Sequence, residues 1–143
     1  MFLGEFKYLL DSKGRLAIPS KFRARLSEGV IITKGIEQCL FVYPLSEWQK
    51  LIEKLMKLPI TQTSSRAFLR LMFSGAVEEE LDQQGRILIP ENLRTYANLK
   101  KQVIVVGVFN RIELWDEKAW EEYKKSTEGE AQRIAEDLKE LGI

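Results

Sequence analysis

At 143 residues with a net charge of +1, the chain has the apolar content of an ordinary folded protein and is too hydrophobic to be disordered. Its single cysteine excludes an internal disulfide, and the absence of histidine removes the commonest general base and metal ligand, so most familiar hydrolase and metalloenzyme constellations are excluded. Charge is unevenly spread: residues 1–75 hold twelve Lys/Arg and six Asp/Glu, residues 76–143 ten and fifteen, which fits either a basic half facing a polyanion or an acidic excess on solvated helices.

Taken in chain order, Met1-Phe2-Leu3-Gly4-Glu5-Phe6 lacks the basic start and apolar run of a targeting signal. No stretch approaches the roughly 18 apolar residues of a membrane span, so a cytoplasmic protein without a membrane partner is expected. An apolar strand then meets the turn Asp11-Ser12-Lys13-Gly14, where the Asp side chain can accept backbone N–H bonds and Gly can take positive φ, predicting a hairpin. Pro19 suits the start of a short helix carrying Phe22-Arg23-Ala24-Arg25-Leu26. Val30-Ile31-Ile32-Thr33 and Cys39-Leu40-Phe41-Val42-Tyr43 read as strands, with Cys39 a buried strand residue rather than a metal ligand. Ser46 is placed to cap a helix through Leu58, with Trp48, Leu51, Ile52, Leu55 and Met56 at helical spacing and Pro59 as its stop. A second helix is predicted from Thr63 to Phe73.

The same series then recurs. The turn Asp82-Gln83-Gln84-Gly85 leads to Pro90, a short helical segment at Leu93-Arg94, the strand Val103-Ile104-Val105-Val106, and Ile112-Glu113-Leu114-Trp115. Asp116 is expected to cap a helix containing Trp120 and Tyr123, and a last helix is predicted from Glu128 to Leu141, ended by Gly142. Gly4 through Pro19 aligns with Gly75 through Pro90 at an offset of 71, and Val30 through Trp48 aligns with Gln102 through Trp120 at 72, pairing Gly35 with Gly107 and Trp48 with Trp120. This is a tandem duplication: a first module at 5–47, connecting helices at 48–75, a second module at 76–119 and carboxy-terminal helices at 120–143. Modules of under about 50 residues are too small for a self-sufficient core, so they should fuse or oligomerise.

The repeated Asp11-x-x-Gly14-Arg15 and Asp82-x-x-Gly85-Arg86 hairpins, each ending in Ile-Pro, resemble the Asp-x-x-x-Arg signature of MraZ proteins. That family lies within the wider SpoVT-AbrB, or swapped-hairpin, DNA-binding class. The resemblance covers both repeats and their order. It implies an α+β fold in which two AbrB-like modules pair about a pseudo-two-fold axis into one barrel-like core, with helices after each. It further implies ring-like homo-oligomers, an octamer among them, binding of double-stranded DNA at short promoter direct repeats, and autorepression of a division and cell-wall gene cluster. A nucleoid-associated location follows. No cofactor, metal or small-molecule substrate is expected.

Arg15 and Arg86 leave tight turns at an exposed hairpin end, where a guanidinium can fork onto a phosphate or onto the O6/N7 edge of guanine. Lys13, Lys7, Lys21, Arg23 and Arg25 lie near Arg15 in sequence and join it as candidate DNA contacts. Arg86 sits beside Gln83 and Gln84 and follows Glu78-Glu79-Glu80, which weakens attraction to phosphate. Asp11, Gly14, Asp82 and Gly85 are assigned to holding the turns. The plainer alternative is that each Asp and Arg form only a local surface pair.

Two other classes of function stand beside this one. Paired aspartates on two hairpins also describe a catalytic dyad, but the turns lack the Asp-Thr/Ser-Gly pattern, and an adjacent Arg would keep each Asp ionised. An oligomeric scaffold or antitoxin-like module would bind protein through the helices, with Trp48 and Trp120 as candidate subunit contacts. Salt separates these readings, because binding through basic hairpins weakens steeply with added salt.

Overall fold

A computed structural model of the chain describes residues 1–142. The β-branched runs form strands because both their faces are covered, and the element order is the predicted duplication. In the first copy these are β1 (Phe2–Leu9), β2 (Arg15–Ala17), α1 (Ser20–Arg23) continued by a 3-10 turn, β3 (Val30–Lys34), β4 (Leu40–Pro44), α2 (Leu45–Leu55) and α3 (Thr63–Ser74). In the second they are β5 (Val77–Glu79), β6 (Arg86–Leu88), α4 (Glu91–Tyr96), β7 (Gln102–Phe109), β8 (Ile112–Asp116), α5 (Glu117–Gly129) and α6 (Ala131–Asp137), followed by a 3-10 turn.

Six strands form one sheet in the order β1-β7-β8-β4-β3-β5, and β2 pairs with β6 in a separate ribbon. Every pairing is antiparallel. Exchanging the two copies reverses the sheet order onto itself, so the modules are related by a pseudo-two-fold axis and interleaved. Equivalent residues meet at its centre: Leu16 faces Ile87 in the ribbon, and Phe41 faces Glu113 between β4 and β8. The fold is thus α+β, but the sheet is open, with β1 and β5 as its edges. The expected barrel-like core is seen only as this open sheet packed on the ribbon: the hairpin arms leave the sheet after Asp11 and Asp82 and pair with each other. Glu78 and Glu79 on the three-residue β5 also discourage further pairing at that edge.

Alternate strand residues feed two cores. Val30, Ile32, Leu40, Val42, Val103 and Val105 face the ribbon, where Leu16, Ile18, Ile87 and Ile89 are fully buried. Phe41, Tyr43, Ile104, Val106 and Trp115 face the helices on the other side. The small-module problem is solved by fusion: neither half has a core that excludes the other.

Strand registers correct one detail of the repeat alignment. Val30 faces Pro44 and Val103 faces Asp116, and Pro44 and Asp116 occupy the same N-cap position of α2 and α5. Val30 is therefore the counterpart of Val103, not Gln102, and Gly107 aligns with Lys34 rather than Gly35. The shift is undone in the β3–β4 loop, so Trp48 and Trp120 remain equivalent.

Asp116 does cap its helix, accepting from the Ala119 N–H at 3.3 Å. Ser46 does not, because Pro44 holds the N-cap of α2 and Ser46 lies inside the first turn; α2 itself ends at Leu55. The expected helix from Glu128 is broken at Glu130, where φ is −113°, so α5 runs to Gly129 and α6 begins at Ala131. Cys39 is fully buried one residue before β4, and burial pushes its thiol pKa up to about 12, which leaves it unreactive. Trp48 packs on Tyr43 and Phe73, and Trp120 on Trp115 and Tyr123. Both indoles thus pack, partly buried, against this chain's own helix-side core, and the more exposed apolar side chains are others, Met56 and Ile60 among them. Among the described residues no helix is long and apolar enough to cross a membrane.

Candidate nucleic-acid interface

Each hairpin turn is built around its aspartate. Asp11 Oδ1 accepts the backbone N–H groups of Lys13 and Arg15 at 2.9 and 2.8 Å, and Oδ2 accepts Arg15 Nε at 2.9 Å. Asp82 repeats the pattern with Gln84 and Arg86 at 2.9 and 2.9 Å, and with Arg86 Nε at 2.8 Å. Gly14 and Gly85 close the turns at φ +85° and +74°, a region other residues enter only with strain. Both aspartates are held below the usual carboxylate pKa, first by the backbone N–H of the turn arginine and then by its side chain. Each carboxylate is thus bonded within its own turn, an arrangement different from two carboxylates sharing one proton. The Asp–Arg pair is local, as the plainer reading had it, yet it consumes only Nε. Among the described residues, neither Nη of Arg15 makes a hydrogen bond, and the aspartate holds that outer edge of the guanidinium in place.

The two turns converge. Leu16 and Ile87 point into the core, so Arg15, Ala17, Arg86 and Leu88 occupy the outward face of the ribbon. Arg86 Nη1 lies 3.9 Å from the same Asp11 oxygen that holds Arg15, placing both arginines beside the pseudo-two-fold axis. The hairpins are also locked into each other. Ile18 N–H donates to Gly85 O at 2.9 Å and Ile89 N–H to Gly14 O at 2.8 Å. Arg94 packs under Gly14 and Arg23 under Gly85, each with its Nε donating to a carbonyl of its own module, Ile89 at 2.9 Å and Ile18 at 2.8 Å.

The other basic candidates scatter. Lys13 projects from the first turn, exposed, with no ion pair among the described residues. Lys21 lies over the Phe6 ring at 4.7 Å, and Arg25 lies over Phe2 at 4.5 Å with Glu47 at 4.0 Å. Lys7 sits on the helix side of β1, paired with Glu117 at 2.6 Å, away from the ribbon. Proximity in sequence to Arg15 therefore does not carry Lys7 to the turn, since alternate residues of a strand face opposite ways.

In their place the second module supplies cations that linear reading missed. Leu10, Asp11 and Ser12 share a cleft of about 490 Å³ with Arg94, Lys100 and Lys101, and Leu10 N–H donates to Lys101 O at 2.8 Å; Lys100 also pairs with Asp116 at 3.6 Å, which leaves Lys101 as the lysine there without an ion pair among the described residues. At the equivalent place before β3 stand Ser27 and Glu28. The first turn is thus the more cationic one for a tertiary reason as well as a local one. The only sequence signal was the Lys100-Lys101 pair preceding a strand.

The family model described as "MraZ protein, putative antitoxin-like" matches residues 1–71 and again residues 72–140. A protein named transcriptional regulator MraZ, from Halothermothrix orenii, is 52% identical over 143 residues, covering 100% of both chains. Two family matches in tandem, a full-length relative and paired Asp-x-x-Gly-Arg turns agree: this chain belongs to the MraZ family.

Proposed function

We propose that the chain is a sequence-specific regulator of transcription that binds double-stranded DNA through the outward face of the β2–β6 ribbon. The observation that carries this reading is the convergence of Arg15 and Arg86, each oriented by an aspartate through Nε, on one face about the pseudo-two-fold axis. Two planar donors fixed in this way match the acceptor pairs of guanine edges or phosphates. Lys13, Lys100 and Lys101 add phosphate contacts around the first turn, while Gly14, Gly85, Asp11 and Asp82 hold the geometry. Arg23 acts beneath the second turn as its support, while Lys21 and Arg25, lying over Phe6 and Phe2, are the outlying members of the candidate set. The relative's name as a transcriptional regulator supports this reading.

The finer reading is repression of the chain's own division and cell-wall gene cluster through promoter direct repeats. It places the protein in the cytoplasm, associated with the nucleoid, as a homo-oligomeric ring. One ribbon is a small interface, whereas specific DNA sites usually engage a larger one, so several copies must share the site. Subunits join through the helix side. There Leu55, Leu58 and Phe68 line a cleft of about 560 Å³, with Met56 and Ile60 exposed close by in sequence. That cleft also favours the second reading, a protein-binding or antitoxin-like module.

The deciding experiment is a mobility shift of the chain's own upstream region, with unrelated competitor, over a salt series. Specific retention that weakens steeply with salt supports the DNA reading. Equal affinity for unrelated DNA, or no binding, overturns it.

A further inference from the structure

The outward face of the ribbon carries one side chain that phosphate chemistry does not explain. Leu88 is 44% exposed on the ribbon face that also carries Arg15, Ala17 and Arg86. It stands directly opposite Arg15 in the β2–β6 register and two residues beyond Arg86 on the same face. Directly opposed residues of an antiparallel pair have Cβ atoms about 5 Å apart, so the leucine and the Arg15 stem are immediate neighbours. The equivalent position in the first copy is Ala17, facing Arg86. The pseudo-two-fold therefore relates the two arginines but not their apolar companions.

We infer that Leu88 is a specificity residue that packs on the 5-methyl group of one thymine in the major groove, beside the base pair or phosphate met by Arg15. The inference rests on the DNA reading above. A surface flanked by two oriented guanidiniums is drawn onto a polyanion, and the thymine methyl is the one apolar group that a base edge presents there. A branched four-carbon side chain reaches it, whereas the single methyl of Ala17 is too short to do so from an equivalent backbone position. The asymmetry has a consequence for the site: a nearly two-fold protein face reads a sequence that is not palindromic. One half of the contacted segment carries the thymine requirement and the other does not.

The test uses the full chain and a duplex from its own upstream region, with binding followed by fluorescence anisotropy at fixed salt. Thymines are replaced one at a time by deoxyuridine, which removes the 5-methyl group and leaves base pairing intact. Losing one methyl contact is worth about 0.8 kcal/mol, so the chain should bind about fourfold more weakly when one particular thymine of each box is replaced. Leu88→Ala should bind the thymine and uracil duplexes alike, with an unchanged salt slope and melting temperature. Leu88→Gln, which keeps the length without the apolar tip, should lose the preference equally. If the wild-type chain is indifferent to every replacement, or Leu88→Ala keeps the thymine preference, the inference is overturned while DNA binding stands. If no duplex is bound specifically, the DNA reading falls, and this assignment with it.

Discussion

Gly14→Ala tests the interlock of the two modules without touching a charge. The backbone at Gly14 has φ +85°, and a Cβ built there would sit 2.9 Å from the Ile89 carbonyl oxygen and 3.1 Å from the Arg94 guanidinium. The left-handed conformation costs an L-residue about 1–2 kcal/mol. The crowding is against backbone on one side and a guanidinium on the other, and Arg94 cannot swing freely because its Nε is bonded to Ile89 O at 2.9 Å. Relief requires the turn to lift from the second module, lengthening the 2.8 Å bond from Ile89 N–H to Gly14 O. Against this, alanine restricts the unfolded chain and returns about 0.5 kcal/mol. With about 1–2 kcal/mol more for overpacking against the carbonyl and the guanidinium, a net destabilisation of about 2–3 kcal/mol is expected, lowering the melting temperature by about 5–10 °C in a chain of this size. Thermal melting followed by circular dichroism, at several protein concentrations to separate assembly from folding, measures it directly. Serine at the same position should behave like alanine. Should Gly14→Ala melt within about 1 °C of the wild type, the hairpins are not locked by close approach, and the account of Arg94 and Arg23 as turn supports fails with it.

Arg15→Ala should abolish specific retention of the upstream duplex in a mobility shift while moving the melting temperature by under about 2 °C, because the side chain is half-exposed and its ion pair is solvated. Neutralising Lys13 and Arg15 together should flatten the slope of log K against log salt by about 2 units, and neutralising Arg86 should flatten it less. Equal losses would show the two turns to be electrically equivalent despite Lys100 and Lys101. For Asp11 and Asp82 the folded pKa is depressed, so their contribution to the turns is complete above the ordinary aspartate value and is lost as pH falls through the lower folded value. DNA affinity, measured by anisotropy, should therefore be flat from about pH 8 to 5 and fall only in more acidic solution. A transition near neutrality would point to a group other than these. Finally, three tandem boxes spaced by about 10 bp should bind far more tightly than one, and displacing one box by half a helical turn should cancel the gain; equal affinity for one box and three would mean that each chain acts alone.

Much of this molecule is written along the chain. The duplication, the element order, the two Asp-x-x-Gly-Arg turns and the Asp116 cap follow from local rules, because turn chemistry and strand periodicity act over a few residues. The role of each aspartate in holding its turn and orienting its arginine was legible for the same reason. Where local rules compete, linear reading slipped. Pro44 displaced Ser46 as the cap, and the insertions before β7 and in the β3–β4 loop hid a one-residue change of register. What only the tertiary structure decided is which residues share a surface. Pairing β2 with β6 across the modules, rather than closing a barrel, brought Arg15 and Arg86 to one face from 71 residues apart and set Leu88 opposite Arg15. It also carried Lys100 and Lys101 to the first turn and left Lys7, near in sequence, on the opposite side of the sheet. Strand pairing across modules is set by the burial of Leu16 and Ile87 in a common core. That is a sum over many distant contacts, which no window of sequence contains.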